Sequence, residues 1–144
     1  MKLLSLAAAG FVGFLATSTA FAADPMTDRQ AIFKGWGDAT RPVAAMLKGE
    51  APVDVAKAKA ALAAYADGAA KLPALFPDNS RTGKTEASPR IWAEKARFDG
   101  LFAKLAKEAS AAEAAITDEA SLKANFPKVL GNCKGCHDDF REKK

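Results

Sequence analysis

The feature that most restricts the fold is a regular stripe of apolar residues in the second half of the chain. The stripe advances by seven, four, three, four, three and four residues, which is close to the heptad pattern of helices packed in a bundle. Its members are Ile91, Phe98, Phe102, Leu105, Ala109, Ala112 and Ile116. Alanine is frequent and β-branched residues are few, a composition that also favours helix over strand. The stripe therefore predicts a long helix with one side in a helical core.

A first helix is predicted closer to the N-terminus. Thr27 and Gln30 have the spacing of a capping box, so we expect the helix to begin near Thr27. Pro42 is predicted to kink this helix or to break it in two, because proline lacks the N–H that an interior turn requires. Gly49 and Pro52 follow Lys48 and mark the end of the helix.

Three further helical segments complete the predicted fold. They run from about Val53 to Leu72, from Ser88 with Pro89 to Ile116, and from about Thr117 to Phe140. Residues 74–87 form a long connection rich in turn formers, and Pro127 is expected to bend the last helix or delay its start. We therefore predict an all-α, antiparallel four-helix bundle that forms one domain over residues 23–144.

The chemistry of the chain is concentrated in Cys133-Lys134-Gly135-Cys136-His137, which contains both cysteines and the one histidine. C-x-x-C-H is the attachment signature of a c-type haem. Two thiols three residues apart on a helical turn can each add to one haem vinyl group, and the histidine that follows places an imidazole on the haem axis. The motif predicts one covalent haem c per chain, with thioethers at Cys133 and Cys136 and with His137 as iron ligand.

Three other interpretations of the motif are weaker. A thioredoxin-like C-x-x-C normally follows a strand in a βαβ pattern, which this chain lacks. A structural zinc site needs a fourth protein ligand, and no other cysteine or histidine is available. A plain disulfide would leave His137 without a role.

Residues 1–22 have the pattern of a secretory signal peptide. Lys2 precedes a short apolar stretch, and Ala20-Phe21-Ala22 is a small-residue cleavage site, so we expect a mature chain from Ala23 in a bacterial periplasm. The apolar stretch is too short to span a membrane, so no membrane span is expected in the mature form. The formal net charge of +4 is modest and spread along the chain, which does not suggest nucleic-acid binding.

The position of the motif limits the sixth iron ligand. Seven residues follow His137, and none of them is methionine or histidine. The common small cytochrome c architecture, with an N-terminal motif and a methionine far downstream, is therefore excluded. Any sixth ligand has to come from the upstream helices.

With these motifs in order, the chain resembles the class II c-type cytochromes, and specifically cytochrome c′. The resemblance extends over nearly the whole mature chain. Its segments are Arg29-Gln30-Ala31-Ile32-Phe33-Lys34, Lys48-Gly49-Glu50, Pro89-Arg90-Ile91-Trp92 with Phe98, and Cys133-Lys134-Gly135-Cys136-His137-Asp138-Asp139-Phe140-Arg141.

The resemblance implies roles for three residues besides the motif. It places Arg29 at a haem propionate, Phe33 at the distal side of the iron and Arg141 beside the proximal imidazole. Trp92, like Trp36, is expected to be a core residue or to pack against the haem. The resemblance also implies a homodimer formed through the first two helices, and the redox partner protein is not identified.

The distal residue decides between the candidate functions. Phe33 cannot donate to iron, so the resemblance implies a five-coordinate, high-spin haem that binds nitric oxide or carbon monoxide and transfers single electrons. The alternative is a low-spin electron carrier with an upstream methionine as sixth ligand. Met26 lies about two turns before Phe33 and Met46 almost four turns after it, so neither is in register with it.

An enzymatic function is not predicted. Peroxide chemistry would require a general acid or base on the distal side, and neither a second histidine nor Phe33 can supply one.

Overall fold

Five α-helices account for most of the structure, a computed structural model that describes residues 24–142. They are α1 (Pro25–Lys48), α2 (Val55–Lys71), α3 (Arg90–Ala93), α4 (Lys95–Ala115) and α5 (Glu119–Phe140). Two short 3₁₀ turns, Leu72–Leu75 and Asp78–Ser80, lie in the connection between α2 and α3. The predicted signal peptide lies outside the described residues.

The four long helices form the predicted antiparallel bundle. α2 packs most extensively against α4, α4 also packs against α5, and α1 packs against α2. α1 and α5 are hardly in contact with each other. The bundle is therefore closed on the side of α2 and α4 and less tightly closed between α1 and α5.

The predicted apolar stripe is confirmed as the spine of the core. All seven of its residues are buried. The Phe98 ring makes edge contacts with Phe76, Phe102 and Phe140, with centroid separations of 4.8, 4.9 and 5.2 Å. These contacts hold the connection after α2, helix α4 and the end of α5 together, which contributes packing energy beyond the buried area.

The first helix begins earlier than predicted. The Asp24 carboxylate accepts hydrogen bonds from the backbone N–H of Met26 at 3.3 Å and of Thr27 at 3.1 Å, so Asp24 is the N-cap and Thr27 lies inside α1. The Thr27 hydroxyl also donates to that carboxylate, at 2.8 Å. Asp24 followed by Pro25 is a stronger start signal than Thr27, because proline suits the first helical position.

The two interior prolines do not interrupt their helices. α1 continues through Pro42 to Lys48, so of the two expected outcomes the break is wrong and the kink stays a prediction. α5 begins at Glu119, capped by Asp118, and Pro127 does not delay its start. A proline removes one hydrogen bond of its helix, and both helices continue through that loss.

The predicted third helix is in fact two. Ser88 accepts a hydrogen bond from the Arg90 backbone N–H at 3.3 Å, and the single turn of α3 follows. Glu94 then leaves helical geometry, with φ −119° and ψ 38°, before α4 begins at Lys95. The apolar stripe continues across this interruption, because Ile91 and Phe98 are both buried.

Candidate haem-attachment site

The two cysteines lie one helical turn apart near the end of α5. Both are free thiols and both are partly buried. Burial raises the pKa of Cys133 above its ordinary value, and burial with the neighbouring Cys133 raises the pKa of Cys136 to about 11. Both side chains are therefore neutral thiols in partly apolar surroundings, which suits conversion to uncharged thioethers.

His137 follows Cys136 and is exposed in the protein alone. Desolvation lowers the pKa of His137, and the Arg141 guanidinium lowers it further, while Asp138 and Glu86 oppose the shift. A neutral imidazole keeps a nitrogen lone pair for a metal ion. Two thiols and an exposed imidazole on one turn of helix are the donor set that a covalent haem requires, so the residues fit this group.

On α1, Phe33 has 37% of its surface exposed and is the one exposed large hydrophobic side chain among residues 24–142. Its ring contacts Trp36 edge-on at 5.4 Å, and Trp36 contacts Tyr65 of α2 at 5.7 Å. The Tyr65 ring in turn lies 6.1 Å from the Phe126 ring of α5, centroid to centroid. An aromatic series therefore connects Phe33 with α5, the helix that carries the attachment motif.

Tyr65 is a component of this region that the sequence analysis missed. It is buried, burial raises its pKa, and its hydroxyl oxygen lies 2.5 Å from the Thr40 hydroxyl oxygen. Thr40 donates its single proton to the Trp36 carbonyl at 2.6 Å, so the Tyr65 hydroxyl donates to Thr40. In the sequence, Tyr65 is one more apolar position of the second helix, and only the packing of α1 on α2 reveals its partner.

Arg29 is almost completely buried, at 2% exposed. Its Nη1 donates to the Leu75 carbonyl at 3.1 Å and to Ser80 Oγ at 2.8 Å. Its Nη2 donates to the Ser80 carbonyl at 3.0 Å and to Thr85 Oγ1 at 3.3 Å, and the guanidinium stacks on Phe76. These bonds use all four N–H groups of Nη1 and Nη2, so only the Nε–H of Arg29 is left for a haem propionate. The contact with a propionate stays a prediction.

Arg141 ends α5 one turn after His137, as the spacing predicts. Its Nε donates to Glu86 Oε2 at 2.7 Å, and its charge contributes to the lowered pKa of His137. Trp92 lies on α3, where its indole N–H is shared between the carbonyls of Phe76 and Pro77, each at 3.1 Å. Its contact with haem stays a prediction.

The methionines have positions that the sequence did not reveal. Met46 is buried at the end of α1, where its sulfur accepts from the Asp54 N–H at 3.4 Å. Met46 and Glu119 line the same shallow groove, so Met46 lies at the beginning of α5. His137 is five turns further along α5, about 27 Å away at 1.5 Å per residue. Met26 instead packs close to Gly83.

Two absences within the described residues bear on the alternatives. Within residues 24–142 no group of three or more histidine, cysteine, aspartate or glutamate side chains could hold a metal ion by itself. No helix of that part of the chain is long and apolar enough to cross a membrane.

A sequence model of the cytochrome c′ family matches residues 24–141. A cytochrome c′ of Rhodopseudomonas palustris is 56% identical over an alignment that covers 100% of this chain and 99% of that protein. A cytochrome c-556 of Agrobacterium fabrum is 37% identical, with coverage of 100% and 99%.

Solved structures give the same result for the fold. The structure of Rhodopseudomonas palustris cytochrome c′ superposes with a TM-score of 0.82 at 61% identity, covering 85% of this chain and 98% of that one. Cytochrome c′ of Shewanella frigidimarina superposes with a TM-score of 0.74 at 30% identity, covering 84% and 98%.

Proposed function

This chain belongs to the cytochrome c′ family, a family of monohaem c-type cytochromes, and on that basis we propose that it is a five-coordinate, high-spin member that binds nitric oxide or carbon monoxide. Covalently bound haem c supplies an iron that can take a small diatomic ligand and exchange single electrons. The observation that carries the proposal is the exposed Phe33 on α1, an apolar side chain at the position where the family places its distal residue.

The proximal side of the site is assigned to α5. Cys133 and Cys136 form the two thioethers and His137 is the axial ligand. The partly buried thiols and the exposed imidazole support this assignment. Arg141 adjusts the surroundings of the imidazole from one turn away, which its effect on the pKa of His137 supports.

The distal side is assigned to Phe33. A phenyl ring has no lone pair for iron and no group that could hydrogen-bond a bound water or anion. Such a site binds small neutral diatomic ligands in preference to water or anions, because burying a polar ligand without a hydrogen bond is costly. Phe33 can neither donate nor accept a proton, so the proposed function is ligand binding and electron transfer rather than catalysis.

The alternative, a low-spin electron carrier with a methionine ligand, has less support. Met46 lies at the opposite end of α5 from His137 and is a buried core residue. One cytochrome c′ is 56% identical to the chain, whereas the cytochrome c-556 proteins are between 32% and 37% identical, the same range as two other cytochromes c′.

Export and dimerisation are part of the proposal. The family match begins at residue 24, directly after the predicted cleavage site, which supports a signal peptide and a periplasmic location. A homodimer formed through α1 and α2 is supported by a shallow groove there, which is lined by Asp28, Ala31 and Ile32 of α1, Lys71 of α2 and Leu75 of the turn that follows.

Replacement of Phe33 tests the proposed function. The native ferrous protein should be five-coordinate and high-spin, and Phe33→Ala should speed carbon monoxide association because no ring has to be displaced. Phe33→Met should shift the spectrum towards six-coordinate and low-spin. Lys34→Ala, at an exposed neighbour on α1, is the control and should change neither property. A native protein that is already low-spin would contradict the proposal.

A further inference from the structure

The two helices assigned to the two sides of the haem have too little direct contact to fix the distance between them. α1 carries Phe33 and α5 carries His137, yet these helices are hardly in contact. α1 packs on α2, and α5 packs on α4. α2 also contacts α5, so the bundle already links α1 and α5, and a further connection joins them near the end of the bundle that contains His137.

Residues 76–88, which we term the strap, are anchored to α1 by a hydrogen-bond cluster. Ser80 accepts from Arg29 through both its hydroxyl, at 2.8 Å, and its carbonyl, at 3.0 Å, and Thr85 accepts at 3.3 Å. The Gln30 side-chain amide adds a bond to the Lys84 carbonyl at 2.8 Å. Arg29 and Ser80 are both buried, so the two bonds between them are shielded from competition with water, whereas the bond to Thr85 is partly buried and the bond from Gln30 is exposed.

The other end of the strap is anchored to the end of α5. The Glu142 N–H donates to the Glu86 carbonyl at 2.8 Å, and the Ser88 N–H donates to the Phe140 carbonyl at 3.0 Å. Arg141 adds an ion pair with the Glu86 carboxylate. These backbone bonds begin three residues after His137.

The two anchors meet at consecutive residues. Thr85 bonds to Arg29 of α1, and Glu86 bonds to Arg141 after α5, so a single peptide unit of 3.8 Å between Cα atoms separates the two attachments. Arg29 lies one helical turn before Phe33 on the same face of α1, so a displacement of the anchor also displaces Phe33.

We propose that the strap sets the separation of α1 and α5, and that Ser80, Thr85 and Glu86 are positioning residues that fix how closely Phe33 covers the ligand side of the iron. This inference rests on the proposed function, in which Phe33 is the distal residue and His137 the proximal ligand. Loosening either anchor lets α1 move away from α5 and lowers the barrier to ligand entry.

The test uses the haem-loaded protein with Thr85→Val, Ser80→Ala and Glu86→Gln. Asp78→Asn is the matched control, because it removes an exposed ion pair with Arg81 inside the strap. Carbon monoxide association should become roughly threefold faster or more in the three variants, because a loosened loop opens access to the iron more often. The rate should stay unchanged in the control. Amide hydrogen exchange should rise in residues 26–33 of α1 and not in α4.

A second set of variants separates positioning from a general loss of stability. In a Phe33→Ala background there is no ring to position, so Thr85→Val should give no further acceleration. Equal acceleration in both backgrounds, or unchanged rates and exchange in all three strap variants, would overturn the inference. If Phe33→Ala itself fails to speed association, the proposed function fails, and selective exchange in α1 still decides whether the strap holds that helix.

Discussion

At the residue scale, two side chains one turn apart on α1 show the opposite of the solvent exposure that is usual for their residue types. Arg29 is charged and 2% exposed, whereas Phe33 is apolar and 37% exposed. A buried guanidinium is stable only when its donors are satisfied, and Ser80 and Thr85 provide acceptors for it. Phe33 is also the one exposed large hydrophobic side chain among residues 24–142, as its proposed role on the distal side of the haem requires.

Met46→Leu tests the assignment of the core methionine. Because Met46 lies about 27 Å from His137 along α5, the substitution should leave the optical spectrum unchanged in both oxidation states. The loss of stability should stay below about 1.5 kcal/mol, since leucine has a similar volume. Thermal unfolding and absorption spectra measure both effects. Met26→Leu is the companion variant, and a spectral change in either would point to a methionine ligand.

At the scale of elements, the close approach of α1 and α2 depends on a glycine. A Cβ added at Gly68 would lie 2.7 Å from both Ile32 Cγ2 and Trp36 Nε1, closer than real side chains come. The contact also holds the Trp36 indole, which donates to the Ala64 carbonyl at 3.0 Å. The absence of a side chain at Gly68 therefore lets Trp36 pack against α2, where it contacts Tyr65 as part of the aromatic series.

Gly68→Ala should push α1 away from α2 and destabilise the protein by about 1–3 kcal/mol, the usual cost of overpacking. Gly100→Ala on α4 is the matched control, because a Cβ there meets nothing within 4 Å. The control should be neutral or stabilising by up to about 1 kcal/mol, since alanine is the better helix former. Chemical denaturation of both variants measures the difference, and equal effects would show that the contact at Gly68 relaxes freely.

The start of α5 provides a pH-dependent prediction. The Ser121 backbone N–H and hydroxyl both donate to the Asp118 carboxylate, at 2.8 and 2.7 Å, and hold the pKa of Asp118 below its ordinary value of 3.8. A carboxyl whose pKa is lower in the folded state contributes stability above the unfolded pKa and loses it as pH falls through the folded pKa.

Asp118→Ala should therefore lower Tm at pH 7, and its difference from the native protein should shrink as pH falls below 3.8. Asp118→Asn is the control, because asparagine also caps a helix but does not titrate. Thermal unfolding of the three proteins from pH 7 to pH 3 measures the effect. A difference that stays constant over this range would contradict the assigned role of the charge.

At the scale of the whole molecule, the bundle is least tightly packed between α1 and α5, the two helices to which we assign the haem. The side of α2 and α4 is closed by direct packing, whereas α1 and α5 hardly touch and are joined through residues 76–88. Partly buried thiols and an exposed phenyl ring lie on those two helices. Haem binding therefore contributes to the stability of the fold, because a group bound by the native state alone stabilises that state.

The mature protein should have the mass of the polypeptide from Ala23 plus one haem, and acid–acetone should fail to extract the pigment. The Cys133→Ala, Cys136→Ala double variant should give a poorly folded protein, because the space between α1 and α5 loses its central packing element. Intact mass spectrometry and circular dichroism measure these outcomes. Extractable haem in the native protein would refute attachment at these two positions.

Much of the fold could be predicted from local patterns. The apolar stripe from Ile91 to Ile116 specified a buried helix face, because residues three and four apart share one side of a helix whatever surrounds it. The spacing of Cys133, Cys136 and His137 specified covalent haem c for a similar reason, since one turn of helix is enough to bring the three groups together. Both conclusions concern neighbours along a single element.

Tertiary structure alone decided which distant residues meet. Arg29 finds its acceptors 51 and 56 residues away, at Ser80 and Thr85, because the connection after α2 folds back across the beginning of α1. That path depends on where the loop can bury its polar groups with partners, which no periodicity encodes. The same folding places Met46 at the far end of α5 from His137 and brings Tyr65 against Phe126 of α5, because helix packing, not spacing along the chain, sets distances between elements.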